Sequence, residues 1–244
     1  MANWSDPRSD IAGFGGATAA RGEAFDAGLR RYMLSVYNYM ASGVLLTGIV
    51  ALLFANSGMA EAVFYGPGIM KYIVMFAPLI FVMVLSFGIN RLSTVAAQGL
   101  FWAYAAVMGM SLSYIFLAYT GTSIAQTFFA TAAAFAGLSL WGYTTKKDLS
   151  GFGTFLIMGV VGLLVASLIN LFLRSNAMSL VISGVGVLLF AGLTAYDTQK
   201  IKSIYAHVAG TDMMGKSVVM GALNLYLDFI NMFLFLLRLF GDRR

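Results

Sequence analysis

The sequence predicts an all-α, polytopic membrane protein with seven transmembrane helices. Of its 244 residues, 60% are hydrophobic and only 10% are charged, whereas soluble domains carry about 25% charged residues. Apolar runs of roughly the 20 residues that cross a bilayer as a helix recur along the chain. Because the bilayer offers no hydrogen-bond partners to the backbone, such runs have to be helical.

Short connections rich in turn residues separate the apolar runs. Residues 1–32 are polar or rich in Gly and Ala, and we expect them to form a flexible N-terminal tail before a seven-helix domain over residues 33–244. The first run is too long for a signal-peptide core and is predicted to remain as a span. The sixth is unusually long, because its apolar part ends near Ala195 and the residues that follow offer no helix stop before Gly210. The predicted spans are Met33–Ala55, Tyr72–Ile89, Val95–Tyr119, Ile124–Tyr143, Phe152–Leu173, Met178–Tyr205 and Val218–Phe240.

The distribution of Lys and Arg predicts a cytoplasmic N-terminus. Cytoplasmic connections of membrane proteins are enriched in these residues. With the N-terminus inside, ten of the 15 basic residues lie in inner segments: Arg8, Arg21, Arg30, Arg31, Arg91, Lys146, Lys147, Lys200, Lys202 and Lys216. Seven complete spans would place the arginines at positions 238, 243 and 244 outside. A re-entrant last segment would move them inside, and the sequence leaves both possibilities open.

The composition argues against several classes of protein. The net charge of +5 is scattered beside the membrane segments, so there is no basic stripe for binding nucleic acid. The absence of cysteine excludes disulfides, thiolate nucleophiles and zinc–sulfur sites. We expect no cofactor, and the partner that the composition indicates is the lipid bilayer.

Two aspartates inside the last two apolar runs are the candidate functional residues. An ionised carboxylate near the middle of a bilayer costs about 3 kcal/mol on insertion scales. Asn224, Asp228 and Asn231 share one face of the seventh span, since they follow one another at helical spacing. A polar stripe of this kind faces the bundle interior or a water-filled cavity. Asp197 lies in the sixth span.

The two aspartates are expected to lie at matching depth. At a rise of about 1.5 Å per residue, Asp228 lies roughly 15 Å into its helix from Val218, and Asp197 roughly 12 Å from Tyr205 at the same end. Two carboxylates at about 4 Å repel by about 4 kcal/mol at an effective dielectric constant near 20. If they touch, they share one proton or hold a cation. Calcium prefers such oxygen ligands, and Asn224 and Asn231 could add carbonyl oxygens.

Other interpretations of these residues remain open. The aspartates could form a structural hydrogen-bonded pair. Arg91, at the cytoplasmic end of the second span, is either a snorkelling interfacial side chain or an ion-pair partner of Asp197.

Three segments resemble the Bax inhibitor-1 family (transmembrane Bax inhibitor motif proteins). They are GLTAYDTQKI at Gly192–Ile201, ALNLYLDFINMFLFLLRLFG at Ala222–Gly241, and YTTKKDLSG at Tyr143–Gly151. The resemblance covers all seven spans and is strongest from Trp141 onward. It implies a seven-helix fold in which the other six helices surround a central last helix.

The resemblance also implies a function. Members of the family are pH-sensitive calcium leaks, in which two aspartates matching Asp197 and Asp228 sense protons. An arginine matching Arg91 latches to the sixth-helix aspartate. Bacterial members, in the inner membrane, also resemble modulators of a membrane-bound AAA protease with a role in stress response.

Three functions are therefore compatible with these residues. The leading one is a pH-gated calcium leak, and the second is a quality-control regulator that acts by binding such a protease. The third is an intramembrane aspartyl protease, which also uses two aspartates on consecutive helices. However, Asp228 follows Tyr226-Leu227 instead of Gly-x-Gly, and a Pro-Ala-Leu motif is missing. We therefore expect no enzymatic activity.

Overall fold

The computed structural model describes the backbone of residues 8–244 and the side chains from Gly22 onward. The described residues form nine α-helices and no strand, apart from one isolated bridge. The helices are α1 (Arg8–Asn56), α2 (Met59–Tyr65), α3 (Met70–Gly88), α4 (Thr94–Leu112), α5 (Tyr114–Ala118), α6 (Gly121–Thr144), α7 (Ser150–Leu173), α8 (Asn176–Val208) and α9 (Met213–Phe240).

Seven helical segments are long and apolar enough to cross a membrane, as the sequence predicts. Helices α4 and α5 form one of them, Thr94–Ala118, and the short helix α2 lies in the connection between the first two. The long sixth span is confirmed. Helix α8 runs to Val208, and Gly210 follows it with φ +74°. A left-handed glycine just after a helix is a common way to end it.

The last helix occupies the centre of the bundle, which confirms the expected architecture. Helix α9 packs against α8, α1, α6 and α4. The two remaining spans, α3 and α7, pack mainly on α4 and α8 and expose most of their apolar surface. Because α9 has protein on several sides, it can carry a polar stripe away from lipid.

Helix α1 begins before the first predicted span and extends into the segment assigned to the N-terminal tail. Helix α1 includes Arg8, and the side chains of Leu29, Tyr32, Met33 and Val36 are buried. These four positions have helical spacing, so the apolar face of the first span extends beyond its hydrophobic run. The Tyr32 hydroxyl is 2.7 Å from Ser217 Oγ of α9. The sequence analysis did not predict this apolar face, because polar residues surround it in the sequence. Residues 1–7 of the predicted tail lie outside the described part.

The structure decides between the two alternatives for the last segment. Helix α9 runs from one end of the bundle to the other, and the residues after it return to the α5–α6 connection. The Thr120 amide donates to the Asp242 carbonyl (3.0 Å), and the Arg244 amide donates to the Ala118 carbonyl (3.1 Å). Residues 241–244 therefore lie at the end of the bundle opposite to the α6–α7 connection.

This topology can be tested by cysteine labelling, because the native chain has no cysteine. Thr122→Cys and Arg244→Cys are expected to react from the same side of the membrane, and Lys147→Cys only from the other. The measurement is labelling by a membrane-impermeant maleimide before and after permeabilisation of cells. Labelling of positions 147 and 244 from one side would contradict a complete seventh span.

A second prediction concerns the contact between α6 and α8. A Cβ at Gly142 would collide with the backbone carbonyl of Ala195, whereas a Cβ at Gly137 meets no atom within 4 Å. Gly142→Ala should destabilise the bundle by about 1–3 kcal/mol, because backbone atoms cannot yield as a flexible side chain can. Thermal unfolding in detergent measures the change. The matched variant Gly137→Ala should leave the melting temperature unchanged or slightly raised; equal effects would refute the close approach.

Candidate functional site

The two membrane aspartates lie on the antiparallel helices α8 and α9, which form the most extensive helix–helix contact in the bundle. Asp228 is only 4% exposed, and Asp197 is half-buried. The two carboxylates that the sequence singled out therefore lie on neighbouring helices that pack against each other. Their direct contact stays a prediction.

Asp228 is a buried carboxyl group whose hydrogen bonding is incomplete. Its Oδ2 has no hydrogen-bond partner among the described residues. A buried polar atom without a partner costs about 1–3 kcal/mol, and more when it is charged. In native proteins such an atom calls for an explanation, such as a functional role. The group is therefore able to accept a proton or contribute an oxygen to a cation.

The two asparagines of the predicted stripe flank Asp228 along α9. Both Asn224 and Asn231 are half-buried. The Asn231 side chain donates through Nδ2 to the Leu227 carbonyl at 2.8 Å. This bond fixes the amide against its own helix and leaves its oxygen as the acceptor.

Arg91 lies apart from the pair. It follows α3 in an exposed turn, where its amide donates to the Gly88 carbonyl at 2.9 Å. Within the described part of the chain, Arg91 forms no ion pair with Asp197 at 4.0 Å or less. Lys200 lies about one turn further along α8 than Asp197. The predicted contact between Arg91 and Asp197 is therefore not present in this arrangement of the helices.

The donor set near the pair limits what it can hold. Among the described residues, no group of three or more His, Cys, Asp or Glu side chains comes together. Calcium takes six to eight oxygen ligands in its protein sites. Two carboxylates and two amides fit brief contact with a passing ion better than permanent coordination.

Comparison with known proteins identifies the family. The model of the family described as "Inhibitor of apoptosis-promoting Bax1" matches residues 29–244. The chain belongs to the Bax inhibitor-1 family. The resemblance of the three sequence segments to this family is thereby confirmed.

Similar proteins occur in several bacteria. A protein of Rickettsia prowazekii is 49% identical over 228 residues, which cover 93% of this chain and 96% of the relative. A protein of Caulobacter vibrioides is 46% identical, covering 90% and 91%. The inner membrane protein YbhL of Escherichia coli K12 is also 46% identical, covering 89% and 94%.

Two of the three family segments contact each other through Gln199. Its Oε1 accepts from the Leu149 amide at 2.9 Å, and its Nε2 donates to the Lys147 carbonyl at 2.8 Å. Lys202 Nζ donates to the Tyr143 carbonyl at 2.9 Å. These bonds attach the α6–α7 connection to α8. Gln199 therefore has a structural role, which its position two residues after Asp197 in the sequence does not indicate.

A chain of hydroxyl groups links three helices beside Asp197. The Tyr37 hydroxyl is 2.7 Å from Ser139 Oγ, which is 2.8 Å from Thr198 Oγ1. Thr198 in turn donates to the Thr194 carbonyl at 2.7 Å. The residue next to Asp197 is therefore held against α6 and α1. Sequence reasoning missed this set, because single hydroxyls in apolar helices resemble ordinary packing residues.

Two buried tyrosines on the other side of α9 differ in their hydrogen bonding. Thr47 Oγ1 donates to the Ala105 carbonyl at 2.8 Å, so the Tyr226 hydroxyl, 2.7 Å away, has to donate to Thr47. The Tyr104 hydroxyl has no partner among the described residues. The two rings are in edge contact, with centroids 5.3 Å apart.

This difference predicts that replacing each tyrosine by phenylalanine changes the stability of the bundle differently. Tyr226→Phe should destabilise the bundle by about 0.5–1.5 kcal/mol, because it removes one interhelical hydrogen bond. Tyr104→Phe removes a hydroxyl that has no partner and should be neutral or stabilising. Thermal unfolding of both purified variants in the same detergent provides the comparison. A greater loss of stability in Tyr104→Phe would contradict this assignment of the hydrogen bonds.

Proposed function

We propose that the protein is a pH-sensitive calcium leak of the bacterial inner membrane, gated by protonation of the Asp197–Asp228 pair. The observation that carries the proposal is the buried Asp228, whose Oδ2 has no partner among the described residues, on a helix that packs against the one that carries Asp197. Membership of the Bax inhibitor-1 family supports it.

Competition between protons and calcium for the pair is the proposed mechanism. Two ionised carboxylates in a buried site repel each other, so the doubly charged state requires a cation nearby. A proton on either group removes that requirement and lowers the attraction for calcium. At neutral pH the pair draws calcium into the bundle, and at acid pH it does so less. Because the two groups are coupled, they titrate as one unit.

Arg91 supplies the second part of the proposed gate. An arginine beside Asp197 would stabilise the ionised carboxylate and compete with calcium for it. To reach Asp197, the turn after α3 has to move towards α8. Helix α3 packs mainly on α4, so few contacts oppose such a movement. The arrangement with Arg91 exposed corresponds in this proposal to the unlatched state.

The proposed orientation places the N-terminus in the cytoplasm. With seven complete spans, the Asp pair then lies nearer the cytoplasmic face, at the end where α8 meets α9. The connections at this end contain most of the Lys and Arg residues, as the positive-inside rule requires. The inner membrane is proposed from the name of the relative YbhL.

Calcium flux through the purified protein in liposomes tests the proposal. Asparagine resembles a protonated carboxyl group in shape and charge. Asp228→Asn and Asp197→Asn should therefore hold the flux close to the acid-pH level of the native chain and flatten its pH profile between acid and neutral pH. A fluorescent calcium indicator inside the vesicles measures the rate at each pH.

The matched control is Asp148→Asn, which removes an aspartate outside the bundle. Asp148 is exposed, and its pKa is lowered because its carboxylate accepts hydrogen bonds from Ser150. Its removal should leave both rate and profile unchanged. If Asp197→Asn and Asp228→Asn both keep the native pH dependence of calcium flux, the proposed gate is refuted. An Asp228→Asn chain that still rescues a deletion phenotype would favour action by partner binding, for example on a membrane-bound AAA protease.

A further inference from the structure

A groove runs along the bundle between α1 and α6. These two helices make little direct contact among the described residues, and the cavity between them has a volume of about 830 Å³. Phe229 of α9 lines it together with residues of both helices. Leu34, Leu45 and Leu140 also line the groove and are each more than half exposed. The groove is therefore open sideways, towards the position of the lipid.

The lining of this groove is apolar along its length and charged at one end. Met33, Met40, Ala132 and Phe135 are typical of the lining, and the one charged residue in it is Arg30. The two hydroxyls of Tyr37 and Ser139 hydrogen-bond to each other, so the wall presents little polar surface. An ion or a column of water would find few partners here, in contrast to the surroundings of Asp228.

A second cation lies at the charged end. Tyr143 lines the groove from the last turn of α6. Its carbonyl accepts from Lys202 Nζ at 2.9 Å, and this Nζ lies 4.8 Å from the centroid of its ring. Basic pockets between transmembrane helices at the membrane surface are typical sites for anionic lipid headgroups. The end of the groove therefore carries positive charge at the depth where lipid headgroups lie.

The length of the groove fits an acyl chain. Arg30 and Val44 are separated by roughly 21 Å along α1 at about 1.5 Å per residue, whereas one leaflet of hydrocarbon is roughly 15 Å thick. A second apolar cavity of about 310 Å³ shares Val44, Phe128 and Phe229 with the first. The apolar path therefore continues towards the α5–α6 connection without a polar barrier.

We propose that this groove binds one phospholipid with an anionic headgroup, drawn from the leaflet in which α1 begins. The phosphate lies at Arg30, and an acyl chain lies between α1 and α6 against Phe229. The sideways opening favours a lipid over a soluble ligand, since a lipid enters within the plane of the bilayer. The charge at one end favours a lipid over a hydrophobic helix of a partner or of a second copy.

Photocrosslinking with phosphatidylglycerol tests this site. The purified full-length protein is placed in vesicles that contain phosphatidylglycerol with a diazirine on one acyl chain, in a phosphatidylcholine background. Crosslinks should concentrate on residues of α1 and α6 that face the groove and on Phe229. Mass spectrometry of the digested protein locates them. Crosslinks spread evenly over α3, α7 and the groove would overturn the proposal.

Two pairs of variants separate the acyl chain from the headgroup. Ala136→Trp fills the groove and should lower crosslinking there about tenfold, the effect of displacing roughly two methylene groups. Ala134→Trp, exposed on the opposite face of α6, should leave it unchanged. Arg30→Gln should lower the preference for phosphatidylglycerol over phosphatidylcholine about fivefold, whereas the exposed neighbour Arg31→Gln should change it less.

The readout is lipid binding, so it is independent of the proposed calcium leak. Melting temperatures of all four variants show whether the bundle is intact. If Ala136→Trp is unstable, Arg30→Gln still decides the matter. An unchanged lipid preference in Arg30→Gln would refute the headgroup site, and equal losses in both tryptophan variants would refute the groove. A parallel experiment uses phosphatidylcholine that carries the same diazirine, and labelling of the groove by it as strong as that by the phosphatidylglycerol probe would overturn the headgroup site.

Discussion

A carboxylate buried in the middle of the last helix is the constraint on which the rest of this structure depends. Asp228 cannot face lipid without a large cost in free energy. Helix α9 therefore has to lie where protein surrounds it, and α8, α1, α6 and α4 pack around it. The second acid, Asp197, lies on α8, the helix that makes the most extensive of these contacts. The polar face of α9 thus determines both which helix is central and where the candidate site lies.

The surrounding helices divide into two groups with different surfaces. Helices α3 and α7 are apolar on nearly every side and expose most of that surface, as spans in contact with lipid do. Helices α1, α6 and α8 carry hydroxyls that bond to each other across the bundle, as in the chain from Tyr37 to Thr198. Where α1 and α6 separate, the inside of the bundle is reached from the lipid side, and the rings of Phe128 and Phe229 meet there with centroids 5.5 Å apart.

Several features were predicted well because they depend on local chemistry. Hydropathy over about 20 residues identified all seven spans, and Gly210, the first good stop after the sixth run, gave the end of α8. The start of α1 was predicted too late, because the apolar face at Leu29 and Tyr32 is narrow and lies among polar residues. The predicted approach of Arg91 to Asp197 depends on how α3 packs, which the spacing along the chain does not define.

The sequence by itself determined the number of spans, the family, and the two aspartates as costly residues that require a reason. These follow from composition, periodicity and motif, which are properties of neighbouring residues. Only the tertiary structure decided that Oδ2 of Asp228 has no partner among the described residues, that residues 241–244 return to the α5–α6 connection, and that α1 and α6 enclose a groove. Each of these depends on contacts between residues far apart in the chain, where the packing of whole helices sets the distances.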